Sequence, residues 1–267
     1  MTEQKRISYD QSNCLFPGNA PVNIGIMLYP DFDSLDVLGP NQVFYFLGPL
    51  GVKVMLIGAD KSKPVTSLEG VPIMPQEDYE SCPDLDMIFV PGGYGKGYFD
   101  LLCNDQDPFY DFVKEKAAKA KLVTCVCTGA HIMARAGLLE NLNVTTHWAY
   151  REALAMFPNV TVVDGYPRYC IDGFHVTGGG ISSGIDEALM IAAWLKGDIA
   201  AQQVQLSMQY NPDPPFKGGD PATSPQSIVD TSGSWEAGAY VATLVENILE
   251  GKPCPEAGKV TIQKKYL

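Results

Sequence analysis

The chain has 267 residues, with 31 acidic against 19 basic side chains and a formal charge of −12 at neutral pH. That length is generous for one α/β domain and short for two, and a hydrophobic share of 46% supports a real core rather than wholesale disorder. The acidic balance disfavours nucleic acid and anionic membrane surfaces, whose phosphates repel it, and no run of about 18 apolar residues is present to span a bilayer.

The opening MTEQKRISYDQSNCLFPGNA is polar and unpatterned, lacks the apolar run of a secretory signal, and is expected to lie as an arm on the surface. VNIGIMLY (Val22 to Tyr29) reads as a short buried strand. Helical spacing follows, beginning near Pro40, where the first turn needs no backbone donor, and ending at Gly48 or Gly51. VKVMLIGA, DMIFVPGG (Asp86 to Gly93) and KLVTCVC (Lys121 to Cys127) are further strands, with a helix over FYDFVKEKAAKAK before the last of them. TGAHIMARAGLLE predicts a helix closing at Gly137, and YCIDGFHVTGGG predicts a hairpin around Asp172 and Gly173. IDEALMIAAWLKG and IAAQQVQLSMQY read as helices, NPDPPFKGGDPATSP as loop, and SWEAGAYVATLVENILEG as a last helix before a polar tail. Strands alternating with helices and ending in glycine-rich loops imply a mostly parallel sheet with helices on both faces, its site beyond the carboxyl ends of the strands. The organisation expected is an arm over 1–21, one α/β domain over 22–228 and a helical extension over 229–267 packed on it.

Seven cysteines, an odd number, stand at irregular intervals: Cys14, Cys82, Cys103, Cys125, Cys127, Cys170 and Cys254. This is not the pattern of a disulfide framework, so unpaired thiols in a reduced, cytoplasmic setting are expected. One of them is placed for chemistry. In VTCVCTGAH a β-branched strand ends at Cys127 and a helix starts within Thr128-Gly129-Ala130, the layout of a nucleophile elbow. Unpaired amides and the helix dipole favour a thiolate there, and the Thr128 N–H faces the same spot. Against this stands the plain reading of Cys127 as a small buried apolar residue, about as common for a free cysteine. Cys125 reads as core. Cys125 and Cys127 amount to half a metal site that no second cysteine pair or histidine cluster completes, so no metal is expected.

Asp36, in SLDVLGP, fits two roles. It can cap the helix beginning near Pro40, or stand beyond the first strand where it reaches the fourth. Pressed against a thiol in a dry pocket, its carboxyl would keep a proton and serve as general acid and base. The glycines of PGGYGKG allow close backbone approach, so the Gly93 N–H is expected to complete an oxyanion-type pair with Thr128; a phosphate loop is disfavoured because GxxxxGK[ST] is absent. In VTGGGISSGID, Ser182 or Ser183 is expected to cap a helix. Of the histidines, His131 lies one turn past the elbow and points elsewhere, His147 fits a structural turn, and His175 sits on the hairpin.

Together IGIMLYPDFDSLDVLGP, MIFVPGGYGKG, LVTCVCTGA, AGLLENLNVTTHWAY, VTGGGISSGIDEAL and VQLSMQYNPDPPF resemble the ThiJ/PfpI superfamily, and within it the isocyanide hydratases, in family order from Val22 to Pro225. The resemblance implies a flavodoxin-like three-layer α/β sandwich with a mostly parallel sheet and a cysteine elbow, and a homodimer. It implies Cys127 as nucleophile, Asp36 as acid and base, Thr128 as polar neighbour of the nucleophile, and Ile181 as a pocket residue. Thr128 stands where peptidase and amidotransferase relatives carry a histidine, and no His-x-Glu pair occurs, which lowers those readings. The function implied is hydration of an isocyanide to an N-substituted formamide through a cysteine thioimidate, with no cofactor, no nucleic acid and no membrane. The alternatives are a redox- or stress-responsive protein, or a glyoxalase-type one, with an oxidisable Cys127; a regulator's sensing domain is disfavoured by the charge and by the short chain after the matched core.

Overall fold

Val22–Met27 (β1) forms where expected, because an aliphatic run this short and buried on both faces suits a central parallel strand better than a helix. The computed structural model describes residues 14–254, so residues 1–13 of the expected arm and 255–267 of the expected tail lie outside the described residues. In chain order the remaining elements are α1 (Ser34–Tyr45), β2 (Val52–Gly58), the hairpin strands β3 (Val65–Thr66) and β4 (Pro72–Ile73), β5 (Glu77–Asp78), β6 (Met87–Val90), α2 (Lys96–Cys103), α3 (Pro108–Lys119), β7 (Leu122–Val126) and α4 (Gly129–Arg135). They continue with β8 (Leu142–Val144), α5 (Arg151–Ala155), β9 (Val160–Val162), β10 (Tyr169–Asp172), β11 (His175–Gly178), α6 (Ser183–Lys196), α7 (Asp198–Ser207), α8 (Gln226–Thr231) and α9 (Gly233–Leu249).

Seven strands make one sheet in the order β10-β11-β7-β6-β1-β2-β5. Every neighbouring pair is parallel except β10 with β11, the predicted hairpin, in which Asp172 faces His175 across the turn. α1 and α6 pack on each other and against β2 and β11, while α3 and α4 cover β6 and β7. The result is a three-layer sandwich of flavodoxin type. β6 and β7 are buried along their whole length, which is why their sequences run apolar without alternation. The register sets Ile26 beside Phe89, Val90 beside Cys125 and Val126 beside Gly178, so β1, β6, β7 and β11 end side by side.

Several expectations are corrected. α1 starts at Ser34 rather than near Pro40, because Asp33 is the cap: its Oδ1 accepts the Leu35 N–H at 3.1 Å. Asp36 therefore lies inside the first turn and is free to face inward. Pro40 sits within the helix and, having no N–H, leaves the Asp36 carbonyl without its ordinary intrahelical donor. Ser182 stands at the N-cap of α6 as expected, but its side chain makes no cap bond; its Oγ accepts from Arg168, and the Ser183 Oγ accepts from the Gly180 N–H. Cys103 and Cys254 form a disulfide with Cα atoms 6.1 Å apart. Bridged partners so distant in sequence leave no local pattern, and cysteine usage accordingly no longer argues for a reducing compartment. Among the described residues no helix is long and apolar enough to cross a membrane.

Candidate active site

The ends of β1, β6, β7 and β11 deliver four chain segments to one spot, as parallel sheets do beyond their carboxyl edges. From β7 comes Cys127, buried, with φ +56°. A residue with a Cβ held in that left-handed region is strained, and the neighbours here hold it firmly. The Cys127 N–H donates to the Gly178 carbonyl at 3.0 Å, and its own carbonyl accepts the Thr146 hydroxyl at 2.7 Å. Thr146 belongs to the Thr145-Thr146-His147-Trp148 block, so part of that signature serves to fix the elbow. The strain lifts the thiol out of the strand line, as a sharp strand-to-helix turn requires.

From β1 and α1 comes Asp36, fully buried. Its Oδ2 accepts the Gly92 N–H at 2.9 Å, while Oδ1 has no hydrogen-bond partner among the described residues. Gly92 stands where nothing larger fits: a Cβ there would lie 2.6 Å from the Cys127 Cβ and 2.7 Å from the Asp36 Oδ2. Gly180, at φ +104°, closes the opposite side, and a Cβ on it would meet the Cys127 Sγ at 2.9 Å. Bare backbone on both flanks lets the carboxyl and the thiol approach each other.

Burial pushes the Asp36 carboxyl well above the ordinary carboxylate range, helped by the charge of Asp33; the Gly92 N–H and the Cys127 thiol pull the other way. Burial also drives the Cys127 thiol upward, as do Asp36 and Asp33, against the Thr128 N–H and hydroxyl. The expectation of a low-pKa thiolate at a helix start is thus corrected: desolvation outweighs the first turn of a short helix. Both groups are thereby biased toward their protonated forms.

Thr128 and Gly93 are brought together, though not as an oxyanion pair. The Gly93 N–H donates to the Thr128 Oγ1 at 2.8 Å and the Thr128 hydroxyl donates back to the Gly93 carbonyl at 2.7 Å. The Gly93 amide is consumed in locking the threonine, which corrects its assignment as a charge-stabilising donor; the Thr128 backbone N–H remains the one directed at the sulfur. Ile181, next in sequence to Gly180, is 37% exposed, and Leu35, next to Asp36, is 42% exposed. Two surface cavities, about 490 Å³ between α6 and α7 and about 550 Å³ beside Asp31 and Tyr79, are lined by neither Cys127 nor Asp36.

The histidines stand aside. The His131 nitrogens lie 3.1 Å from the Tyr150 carbonyl and 3.3 Å from the Thr128 carbonyl, and the His147 Nδ1 accepts from the Ala149 N–H. Burial lowers both to about 4, so both are neutral at physiological pH. Among the described residues no cluster of His, Cys, Asp and Glu is grouped to hold a metal. The sequence reading missed Thr146, Gly180 and Glu187. Glu187 is fully buried on α6 with neither carboxyl oxygen partnered among the described residues, and its helix offers only an acidic residue in an apolar stripe as a signal.

The model of the DJ-1/PfpI family matches residues 22–193. The chain is 43% identical over 209 residues to an isonitrile hydratase of Pseudomonas putida, a match covering 78% of this chain and 87% of that protein. Its fold superposes on that of a ThiJ/PfpI family protein from Pseudomonas syringae with a TM-score of 0.78 and 29% identity, over 92% of this chain and 99% of that one. A DJ-1beta of Drosophila melanogaster shares the fold at a TM-score of 0.62 and 19% identity, over 71% of this chain and 98% of its own.

Proposed function

Because the chain belongs to the DJ-1/PfpI family, we propose that Cys127 and Asp36 carry out the reaction named for its Pseudomonas putida relative, the hydration of an isocyanide to an N-substituted formamide. The observation that carries this reading is the buried, proton-bearing Asp36 set against Cys127. An isocyanide offers a terminal carbon that must gain both a nucleophile and a proton. Sulfur bonds to that carbon while Asp36 Oδ1, the oxygen without a partner, delivers its proton to it; the thiol proton refills the carboxyl. The product is a thioimidate, with sulfur, hydrogen and doubly bonded nitrogen on one carbon. Water then adds to that carbon as the refilled Asp36 gives its proton to the nitrogen and takes one from the water, leaving a tetrahedral adduct. Collapse breaks the C–S bond, returns the thiol its proton and releases the formamide. The Thr128 N–H steadies negative charge on sulfur in both halves.

Exposed apolar side chains next in sequence to Asp36 and Gly180, Leu35 and Ile181, suit a substrate of little polarity. We further infer a homodimer in solution, as the resemblance implies, to be read by sedimentation. The hydratase reading is tested by incubating the purified protein with an alkyl isocyanide and following formamide by NMR. Turnover that vanishes in Cys127→Ala supports the scheme; undiminished turnover in that variant sinks it.

A further inference from the structure

α9 lies outside the matched residues 22–193, yet it packs on the segment that closely follows Thr146, the residue that anchors the Cys127 carbonyl. It packs on α5 and on the turn Trp148–Tyr150. The approach is close: a Cβ on Gly238 would stand 1.9 Å from the Ala149 carbonyl oxygen, so only glycine lets helix and turn meet there. Val241, Leu244 and Val245 are buried behind it. The Tyr240 ring sets its edge on Phe99 at 5.1 Å between centroids, Phe99 meets Tyr94 at 4.8 Å, and Tyr94 lies 6.3 Å from Tyr150. Tyr150 in turn reaches the elbow through His131, whose ring nitrogens lie 3.1 Å from the Tyr150 carbonyl and 3.3 Å from the carbonyl of Thr128, the residue after Cys127. A chain of ring contacts therefore runs from the C-terminal helix to the elbow that holds the nucleophile.

The disulfide ties both ends of that chain. Cys103 closes α2, the helix that carries Tyr98 and Phe99, and Cys254 follows α9, the helix that carries Tyr240. Both cysteines are only partly buried, so a small thiol reaches them from solvent. We propose that α9 is a disulfide-fastened clamp on the aromatic wall that leads to the Cys127 elbow, with Tyr240 as its positioning residue, and that opening Cys103–Cys254 slackens the wall and weakens substrate binding. The opening step is reduction by a dithiol. One thiolate of the reagent attacks a bridge sulfur, and its second thiol resolves the mixed disulfide. Two electrons and two protons pass to the protein, leaving Cys103 and Cys254 as thiols and the reagent as its own disulfide.

For its kinetic readout the proposal rests on the hydratase reading, so the test carries a second readout that does not. Full-length protein is compared with and without dithiothreitol, alongside Cys254→Ser, Tyr240→Ala and Tyr240→Phe. Reduction, Cys254→Ser and Tyr240→Ala are expected to raise KM for an alkyl isocyanide about three- to tenfold with kcat within about twofold, the signature of lost uniform binding. The same three speed hydrogen exchange over 148–150 and 233–249 and hasten alkylation of Cys127, followed by peptide mass spectrometry. Tyr240→Phe, which keeps the ring edge and drops only a hydroxyl buried without a partner among the described residues, behaves as wild type. The clamp is refuted if reduction leaves exchange and Cys127 alkylation unchanged, if dithiothreitol alters Cys254→Ser as much as wild type, or if both cysteines are free thiols in unreduced protein. Absence of any isocyanide turnover overturns the hydratase reading alone, and the clamp is then decided by exchange and alkylation.

Discussion

Glu187 is a carboxyl that the proposed mechanism does not use and the fold pays for. It is fully buried with neither oxygen hydrogen-bonded among the described residues, so burial first, and the nearby charge of Asp36 second, raise its pKa well above 4.5. A folded pKa above the unfolded one means that the native state binds the extra proton. The stabilisation is complete below the unfolded value and is lost as pH rises from there through the folded value. Between those limits each pH unit costs about 1.4 kcal/mol. For a chain of this size about 1 kcal/mol corresponds to roughly 2–4 °C of melting temperature, so the loss is roughly 3–6 °C per pH unit. Glu187→Met fills a similar volume with no titrating group, and replacing a buried ionisable group by a packed apolar one is often neutral or stabilising. Thermal melts of both proteins taken upward from about pH 5 are expected to show the variant gaining on wild type at that slope until the raised folded value is passed, and holding its lead above it. Glu187→Gln should show the same slope from a lower baseline, because an unpaired amide stays buried. A gap between variant and wild type that stays constant with pH, or that closes as pH rises, would refute the reasoning.

Asp36→Asn keeps an oxygen for the Gly92 N–H and removes the proton source, so kcat for isocyanide hydration should fall about 10²- to 10⁴-fold, measured by formamide release. In the wild type the raised pKa keeps Asp36 protonated through weakly acid pH, so the rate should be flat there and fall on the alkaline side as the carboxyl ionises. The same profile should show no limb near the ordinary histidine value of 6.5, since His131 and His147 are held at about 4. Gly92→Ala drives a methyl to 2.6 Å from the Cys127 Cβ. Overpacking of about 1–3 kcal/mol at that point should cost roughly ten- to a hundredfold in kcat/KM, with secondary structure by circular dichroism unchanged.

Much of the site was legible because its parts lie at the ends of short apolar runs, and such runs declare themselves by length and residue type. β1, β6 and β7 end where their aliphatic residues give way to Pro, Gly or Thr, and Cys127 sits at one of those ends. Less legible was whatever depended on which of two similar groups reaches a given amide. Asp36 reads equally as a helix cap or as a site residue; the structure gives the cap to Asp33, and packing against Gly92 turns Asp36 inward. Gly93 was correctly brought to Thr128, but its N–H is taken by the hydroxyl rather than left for a substrate.

The order of strands and helices and the elbow at Cys127 follow from local residue types, because backbone propensity and turn chemistry act over a few residues. The seating of Asp36 beside that thiol and the proton balance of the pair do not. A thiol at a helix start reads as a thiolate until its burial is known, and burial is a property of the packed sheet and helices rather than of any segment. The same holds for the unpartnered Glu187 and for the Cys103–Cys254 bridge, whose cysteines lie 151 residues apart. Local interactions select the elements; desolvation and long-range contact, which exist only once the elements pack, decide what their side chains can do.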